Sequence, residues 1–233
     1  GRRFFYDRLI YAAGATALVP PVPGAGQEHV HVVRTRQDMN QIRHQMQYAT
    51  HAVVIGGGML GLEDAWQLHQ EKLKVIMVEQ ADRILAGQMD RAGSDLMQRR
   101  VERMGVEVLT SCSVAEIRPH SVMLQDGREL PADLVLFSVG VRPNTALARK
   151  AGLRCCGNNQ KWVQVDDHMC TSDEHIFAAG DAAAVYGHND AIWDEAREMG
   201  RVAGVNAAGG DAVYQPVIPE RRQIGRASCR ERV

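Results

Sequence analysis

The stretch Ala52-Val53-Val54-Ile55-Gly56-Gly57-Gly58-Met59-Leu60-Gly61 sets the architecture of this chain. Its first four residues are apolar and mostly β-branched, the composition of a parallel strand covered on both faces, and they run straight into glycine. From Met59 to Gln70 the periodicity becomes helical. Gly61, Ala65 and Leu68 fall on one face, while Asp64, Gln67 and Glu71 fall on another that is expected to stay wet. A second apolar strand, Lys74-Val75-Ile76-Met77-Val78-Glu79, closes a strand-turn-helix-strand unit. Gly56-x-Gly58-x-x-Gly61 between strand and helix is the spacing that cradles a dinucleotide. Gly56 permits the tight turn, Gly58 lets a diphosphate approach the backbone, and Gly61 lets helix and strand pack closely. Gly57, Met59 and Leu60 complete the loop and the helix tip, where unpaired N–H groups attract phosphate. Glu79, at the end of the second strand, is placed to accept hydrogen bonds from the adenosine ribose, which favours NADH over NADPH; Arg83, one turn on, keeps NADPH possible. Glu63 is expected in the first turn of the helix, where the dipole favours any acid, so its position alone assigns it no role.

Working outward, Tyr6-Asp7-Arg8-Leu9-Ile10-Tyr11-Ala12-Ala13-Gly14-Ala15 reads as a buried strand entering a tight turn. Val19-Pro20-Pro21-Val22-Pro23-Gly24 reads as a linker or surface loop, because proline lacks an amide donor and has fixed backbone angles. Thr35 to Tyr48 carries Met39, Ile42 and Met46 at helical spacing. On the other side, Met89 to Met104 is an amphipathic helix stopped at Gly105, followed by a strand at Val106 to Leu109. Short alternating runs at Val114 to Ile117, Ser121 to Leu124 and Arg128 to Leu130, with Asp126-Gly127 as the turn, form an antiparallel meander. Asp133 to Val139 is a further buried strand ending at Gly140, and Ile176-Phe177-Ala178-Ala179-Gly180-Asp181 repeats the strand-then-glycine pattern. The class is therefore α/β, in three layers, with two parallel-sheet units and a small antiparallel meander.

The 233 residues suffice for one large or two modest domains, and 27 basic against 28 acidic side chains leave no field for nucleic acid or anionic lipid. No run approaches the roughly 20 apolar residues that cross a bilayer, and no signal-peptide core follows the N-terminus, so a cytoplasmic protein is expected. Five cysteines without a Cys-x-x-Cys pair, with Cys155 and Cys156 adjacent, suit free thiols. No histidine pair has ligand spacing, and no metal is expected. Residues 224–233 resemble the translation of a sequencing adapter, and residues 220–233 together are expected to be a non-native tail. The reading frame is expected to be truncated at both ends.

Four segments together resemble the pyridine nucleotide-disulphide oxidoreductase superfamily of FAD-dependent reductases: Tyr6 to Ala15, Gly56 to Gly61, Ser138-Val139-Gly140-Val141-Arg142-Pro143-Asn144, and Thr171 to Asp181. Within it the likeness points to rubredoxin-type reductases and the NADH-accepting lobe of assimilatory nitrite reductases. The resemblance implies two interleaved Rossmann-like domains: residues 1–33 and 146–219 in an FAD-binding domain, and residues 34–145 in an NAD(P)H-binding domain. It further implies that Gly180 and Asp181 meet the flavin's ribityl and pyrophosphate portion, and that Glu63 lies near the nicotinamide. The chain would cross between lobes near Ala13-Gly14 and again near Gly140, and a helix from about Ile192 to Ala208 would aim its N-terminus at the isoalloxazine ring. The implied activity is hydride transfer from NADH to FAD and delivery of electrons to an acceptor protein or small redox substrate, with oligomerisation possible for the full-length protein. Two other readings stay open on the residues alone, a dehydrogenase using a nicotinamide cofactor only and a sensor that binds NADH without turnover.

Overall fold

Side chains alternate across the sheet that contains Ala52 to Ile55, and the two faces it creates organise the middle of the chain. The computed structural model describes residues 3–217. In order they form β1 (Leu9–Tyr11), β2 (Ala15–Ala17), β3 (Val30–Val32), α1 (Arg36–Met46), β4 (His51–Ile55), α2 (Met59–Gln70), β5 (Lys74–Val78), α3 (Arg91–Arg103), β6 (Val106–Leu109), β7 (Val114–Arg118), β8 (Ser121–Leu124), β9 (Glu129–Pro131), β10 (Leu134–Phe137), β11 (Val141–Pro143), α4 (Ala146–Lys150), β12 (Cys155–Cys156), β13 (Trp162–Val165), β14 (Ile176–Ala178), β15 (Ala183–Val185) and α5 (Trp193–Ala207). The segment assigned above to a non-native tail, residues 220–233, lies outside the described residues. No helix among the described residues is long and apolar enough to cross a membrane.

Two compact units result: residues 17–141, and the segments on either side of them. The central unit is built on a parallel five-stranded sheet in the order β3-β10-β4-β5-β6. Ala52, Val54, Val75, Met77, Leu134 and Leu136 face the helices, where they pack with Ile42, Ala65 and Leu68. Val53, Ile55, Val78, Val135 and Phe137 face the meander β7-β8-β9, where they pack with Ile117, Val122, Leu124 and Leu130. Each such fully buried aliphatic side chain contributes about 1.5–3 kcal/mol before entropy is counted. The helices start where their sequences supply caps. Thr35 and Asp38 form a reciprocal capping box on α1, and the Asp90 carboxylate accepts the Gly93 N–H on α3.

The boundaries differ from the 34–145 expected for this unit, because β3 pairs in register with β10 (Val30 opposite Val135) and draws in the residues before it. The proline stretch is part of this unit and not a free linker. The Pro23 carbonyl accepts the Ile117 N–H at 2.8 Å, and Val22 and Ala25 pack on the meander-side core. Leu18 N–H and the Gly140 carbonyl, near the two ends of the unit, are hydrogen-bonded at 2.9 Å.

The discontinuous unit pairs β1 with β14 in parallel, Leu9 opposite Ile176, and sets β13 between β12 and β15. Met199, Val202 and Ala203 of α5 join Ile176, Phe177, Ala178, Ala183 and Val185 in its core. The first strand is shorter than the Tyr6 to Ala15 run and is not buried: Ile10 is exposed. Sequence periodicity did not reveal α4 or the β12-β13-β15 sheet, whose elements are only two to five residues long.

Candidate dinucleotide-binding site

The glycine loop lies where β4 gives way to α2, and its three glycines serve different ends. Gly56 has φ +116°, and a Cβ there would lie 2.4 Å from the Ser138 carbonyl oxygen; at Gly61 a Cβ would lie 2.0 Å from the Gly56 carbonyl oxygen. Both are glycine because backbone passes against backbone. Gly58 is different: its φ is −79°, and a Cβ would meet nothing within 4 Å. The space that a side chain would fill at Gly58 is open, and it lies at the N-cap of α2, which has no side-chain cap. The N–H groups of Met59 and Leu60 find no acceptor among the described residues. Open volume, unpaired amides and the positive end of a helix dipole together suit a diphosphate.

Glu79 stands directly after β5. Its Oε2 accepts the Gly57 N–H and its Oε1 the Ala81 N–H, both at 2.6 Å. A Cβ on Gly57 would come to 3.0 Å from Glu79 Cβ and Oε2, so the loop lies flat against this carboxylate. A carboxylate has about four lone-pair sites, so two remain for ribose hydroxyls. Arg83 is less available than its position suggests. Its Nη1 donates to Asp82 at 2.9 Å, Asp82 also pairs with Arg91, and the Arg83 Nε is buried without a partner. The hydrogen bond and charge of Arg91, with Arg83, hold the Asp82 carboxyl below its usual range.

Glu63 is exposed and is the fifth residue of α2, which has no acid in its first turn. The expected dipole argument therefore does not apply to it. Asp64 departs further from expectation. It is half-buried instead of wet, burial pushes its carboxyl above the usual range, and a hydrogen bond with the Ser138 side chain pulls the other way. The signal was in the sequence, since Asp64 stands three residues after Gly61 on the stripe continued by Ala65 and Leu68. Gly140, at φ +100°, follows the end of β10 with open space at its Cβ position.

The remaining candidates belong to the discontinuous unit. The Ala13 carbonyl accepts Asn144 Nδ2 at 2.9 Å, Gly14 has φ +64°, and its carbonyl accepts the Asn144 N–H. Gly180, φ +70°, opens the 3-10 turn that contains Asp181 after β14. Asn189, which sequence reasoning missed, donates to the Gly180 and Ala183 carbonyls at 3.1 and 2.7 Å and accepts from Ala191 N–H. Glu195, also missed, is buried in α5. It accepts the Asp190 N–H at 2.8 Å and the Tyr214 hydroxyl at 3.5 Å, and burial pushes its carboxyl up. Helix α5 begins at Trp193 with Ile192 as N-cap, close to the start that the family resemblance implies. Asp166, Asp167 and His168 bring ligand-type atoms within 4.8 Å of one another. They are already engaged, His168 with Asp167 and Asp211, and Asp166 with the N–H groups of His168 and Cys170.

Residues 1–211 match the family model of the pyridine nucleotide-disulphide oxidoreductases. The chain belongs to that family. Its members are FAD-dependent NAD(P)H oxidoreductases, and the mostly parallel α/β layers described above are their fold. The nitrite reductase [NAD(P)H] large subunit of Klebsiella oxytoca is 38% identical over 187 residues, which are 78% of this chain and 19% of that protein. A NAD-dependent persulfide reductase from A. fulgidus superposes with a TM-score of 0.84 at 35% identity, over 91% of this chain and 41% of that one. The NADH:rubredoxin oxidoreductase of Clostridium acetobutylicum superposes with a TM-score of 0.77 at 30% identity, over 92% and 53%. The chain thus spans about half or less of the curated relatives it matches, for example 19% of the Klebsiella protein and 49% of a Vibrio vulnificus nitric oxide reductase FlRd-NAD(+) reductase.

Proposed function

We propose that residues 17–141 bind NADH, that the flanking segments contribute to an FAD site, and that the whole protein is an FAD-dependent NAD(P)H oxidoreductase. The observation that carries this reading is the open position at Gly58 beside the unpaired amides of α2, with Glu79 tied into the same loop. When bound, the flavin would accept hydride from the nicotinamide and pass electrons on singly or in pairs. The chain's own residues bind and orient. Gly58, Met59 and Leu60 receive the diphosphate, Glu79 the adenosine ribose, and Gly140 with Glu63 border the nicotinamide end. Ala13, Gly14, Gly180 and Asp181 are assigned to the flavin, on two turns where Gly14 and Gly180 take the positive φ that glycine permits. NADH is preferred because a carboxylate at Glu79 repels a 2′-phosphate, and because Arg83 is engaged with Asp82. An acceptor of the rubredoxin or nitrite-reductase kind is favoured by the names of the relatives above, and a cytoplasmic setting by four free cysteines among the described residues. Family membership argues against a dehydrogenase that uses nicotinamide alone. The test is calorimetric titration of this chain with NADH, NADPH and FAD. Saturable NADH binding that outcompetes NADPH is expected, with weaker FAD binding, since the chain carries a single Gly-x-Gly-x-x-Gly loop. No NADH binding at millimolar ligand would end the reading.

A further inference from the structure

Between Ala81 and Arg91 the loop from β5 to α3 carries three charged side chains, Asp82, Arg83 and Asp90. Asp90 caps α3. Asp82 and Arg83 are held close to the glycine loop from both sides. Before them, the Ala81 N–H donates to Glu79 Oε1 at 2.6 Å. After them, the Leu85 N–H donates to the Gly57 carbonyl at 2.8 Å, and Ile84 Cγ2 stands 3.0 Å from the Cβ position of Gly57. Both side chains therefore leave the backbone within a few residues of the Glu79 carboxylate, to which the adenosine ribose is assigned.

Arg83 has five N–H donors and only one good acceptor. Its Nη1 donates to Asp82 Oδ1 at 2.9 Å, its Nη2 reaches the Ala86 carbonyl at 3.5 Å, and its Nε is buried without a partner. Such a guanidinium has donors to spare for the oxygens of a phosphate, which arginine binds in a fork. Asp82 opposes that use in two ways. One of its oxygens takes Arg83 and the other takes Arg91, the first residue of α3, and its charge adds to that of Glu79 nearby. Stability does not account for this bridge. The Asp82 and Arg91 side chains are 49% and 62% exposed, and ion pairs so exposed contribute little to a fold. What the bridge fixes is the direction of Arg83.

On the nucleotide-binding reading above, we propose that Asp82 is a specificity-determining residue: by occupying the Arg83 guanidinium and adding its charge to that of Glu79, it excludes coenzymes that carry a 2′-phosphate. The two carboxylates differ in kind. Glu79 shapes the glycine loop through the Gly57 and Ala81 amides, so altering it harms the binding of either coenzyme. Asp82 accepts only from Arg83 and Arg91 among the described residues, so its charge is removable with the loop intact.

The experiment titrates NADH and NADPH against the wild type, Asp82→Ala, Arg83→Ala and the double variant, at one fixed ionic strength and with melting temperatures recorded. For Asp82→Ala, NADPH affinity is expected to rise about tenfold, the low end of what a charge-assisted bond supplies, while NADH affinity changes by less than about twofold. Arg83→Ala alone should change NADPH affinity by less than about threefold, because the guanidinium is already occupied. In the Asp82→Ala background the same change should abolish most of the tenfold gain, so the two sites are coupled. Unchanged NADPH affinity in Asp82→Ala overturns the inference. A gain that survives undiminished in the double variant also overturns it, since charge removal alone would then suffice. A parallel loss of both coenzymes with a lowered melting temperature would mark a structural role and overturn it equally. Wild-type chain that binds neither coenzyme would instead remove the nucleotide-binding reading, and this inference with it.

Discussion

Glu79 is the residue at which changing coenzyme preference and keeping the loop intact come into conflict. Its two oxygens take the Gly57 and Ala81 amides at 2.6 Å each, so they shape the glycine loop before any ligand arrives. Glu79→Gln leaves one of these amides facing an NH2 group, an orphaned donor in a half-buried site that costs about 1–2 kcal/mol. Glu79→Arg orphans both, which raises the cost to about 2–4 kcal/mol, and it also removes the acceptor for the ribose. At ~1.4 kcal/mol per factor of ten, NADH affinity should fall roughly 5- to 30-fold for Gln and roughly 30-fold or more for Arg. An arginine gains a charge-assisted contact with a 2′-phosphate, about 1.5–3 kcal/mol, and this offsets only part of the damage. Glu79→Arg should therefore prefer NADPH while binding it more weakly than the wild type binds NADH. Fluorescence titration of both nucleotides against the three proteins provides the measurement. If Glu79→Arg bound NADPH as tightly as the wild type binds NADH, the loop would not depend on its carboxylate and the reasoning would fail.

Gly58→Ala and Gly61→Ala should separate binding from folding. The first meets no protein atom, so it should keep thermal stability within about 1 kcal/mol and lose NADH affinity, whereas the second drives a methyl against the Gly56 carbonyl and should destabilise by about 1–3 kcal/mol or more; equal melting temperatures for the two would contradict this. Glu195 has a folded pKa raised above its ordinary value of 4.5, so its protonated form stabilises the fold below that value and the benefit disappears as pH rises through the raised one. Glu195→Gln keeps an acceptor for the Asp190 N–H without the buried charge, and its melting temperature should exceed the wild type's at pH 8 and approach it at pH 4; a pH-independent difference would show that Glu195 protonation is not coupled to folding and contradict this. Asn206 donates to the His168 and Ala212 carbonyls and accepts the Ala212 N–H while buried. Asn206→Leu should cost about 2–4 kcal/mol in urea unfolding by orphaning these groups, and a loss under 1 kcal/mol would show that water replaces the amide.

The central unit was legible because its signals are local and agree with one another. Ala52 to Ile55 is continuous hydrophobic sequence, the glycines stand at a turn that only they can make, and Asp126-Gly127 marks the hairpin of the meander. The unit's edges were not legible. β3 is three residues long, and what assigns it to the sheet is its pairing with β10 a hundred residues later, which no window of sequence contains. β12, β13 and β15 escaped notice because each is only two to four residues long, too short for alternation to register. In the site, Gly56 to Gly61 and Glu79 were readable from spacing, but the clamp of Glu79 on Gly57 depends on how two strand ends meet in space. Asp64 was misread because charge was taken to mean solvent, although its position on the stripe of Gly61 and Ala65 argued for the seam.

That residues 17–141 form one contiguous insertion has a consequence for the order of events during synthesis. Every strand of the central sheet has been made once Phe137 has been added, whereas Leu9 finds Ile176 only after the whole insertion has been translated. The nascent chain can therefore mature from the inside out, with a finished centre acting as a tether while the earliest strand waits for its partner. A ribosome paused shortly after Gly140 emerges would carry a protease-resistant middle attached to a still-cleavable segment that includes β1.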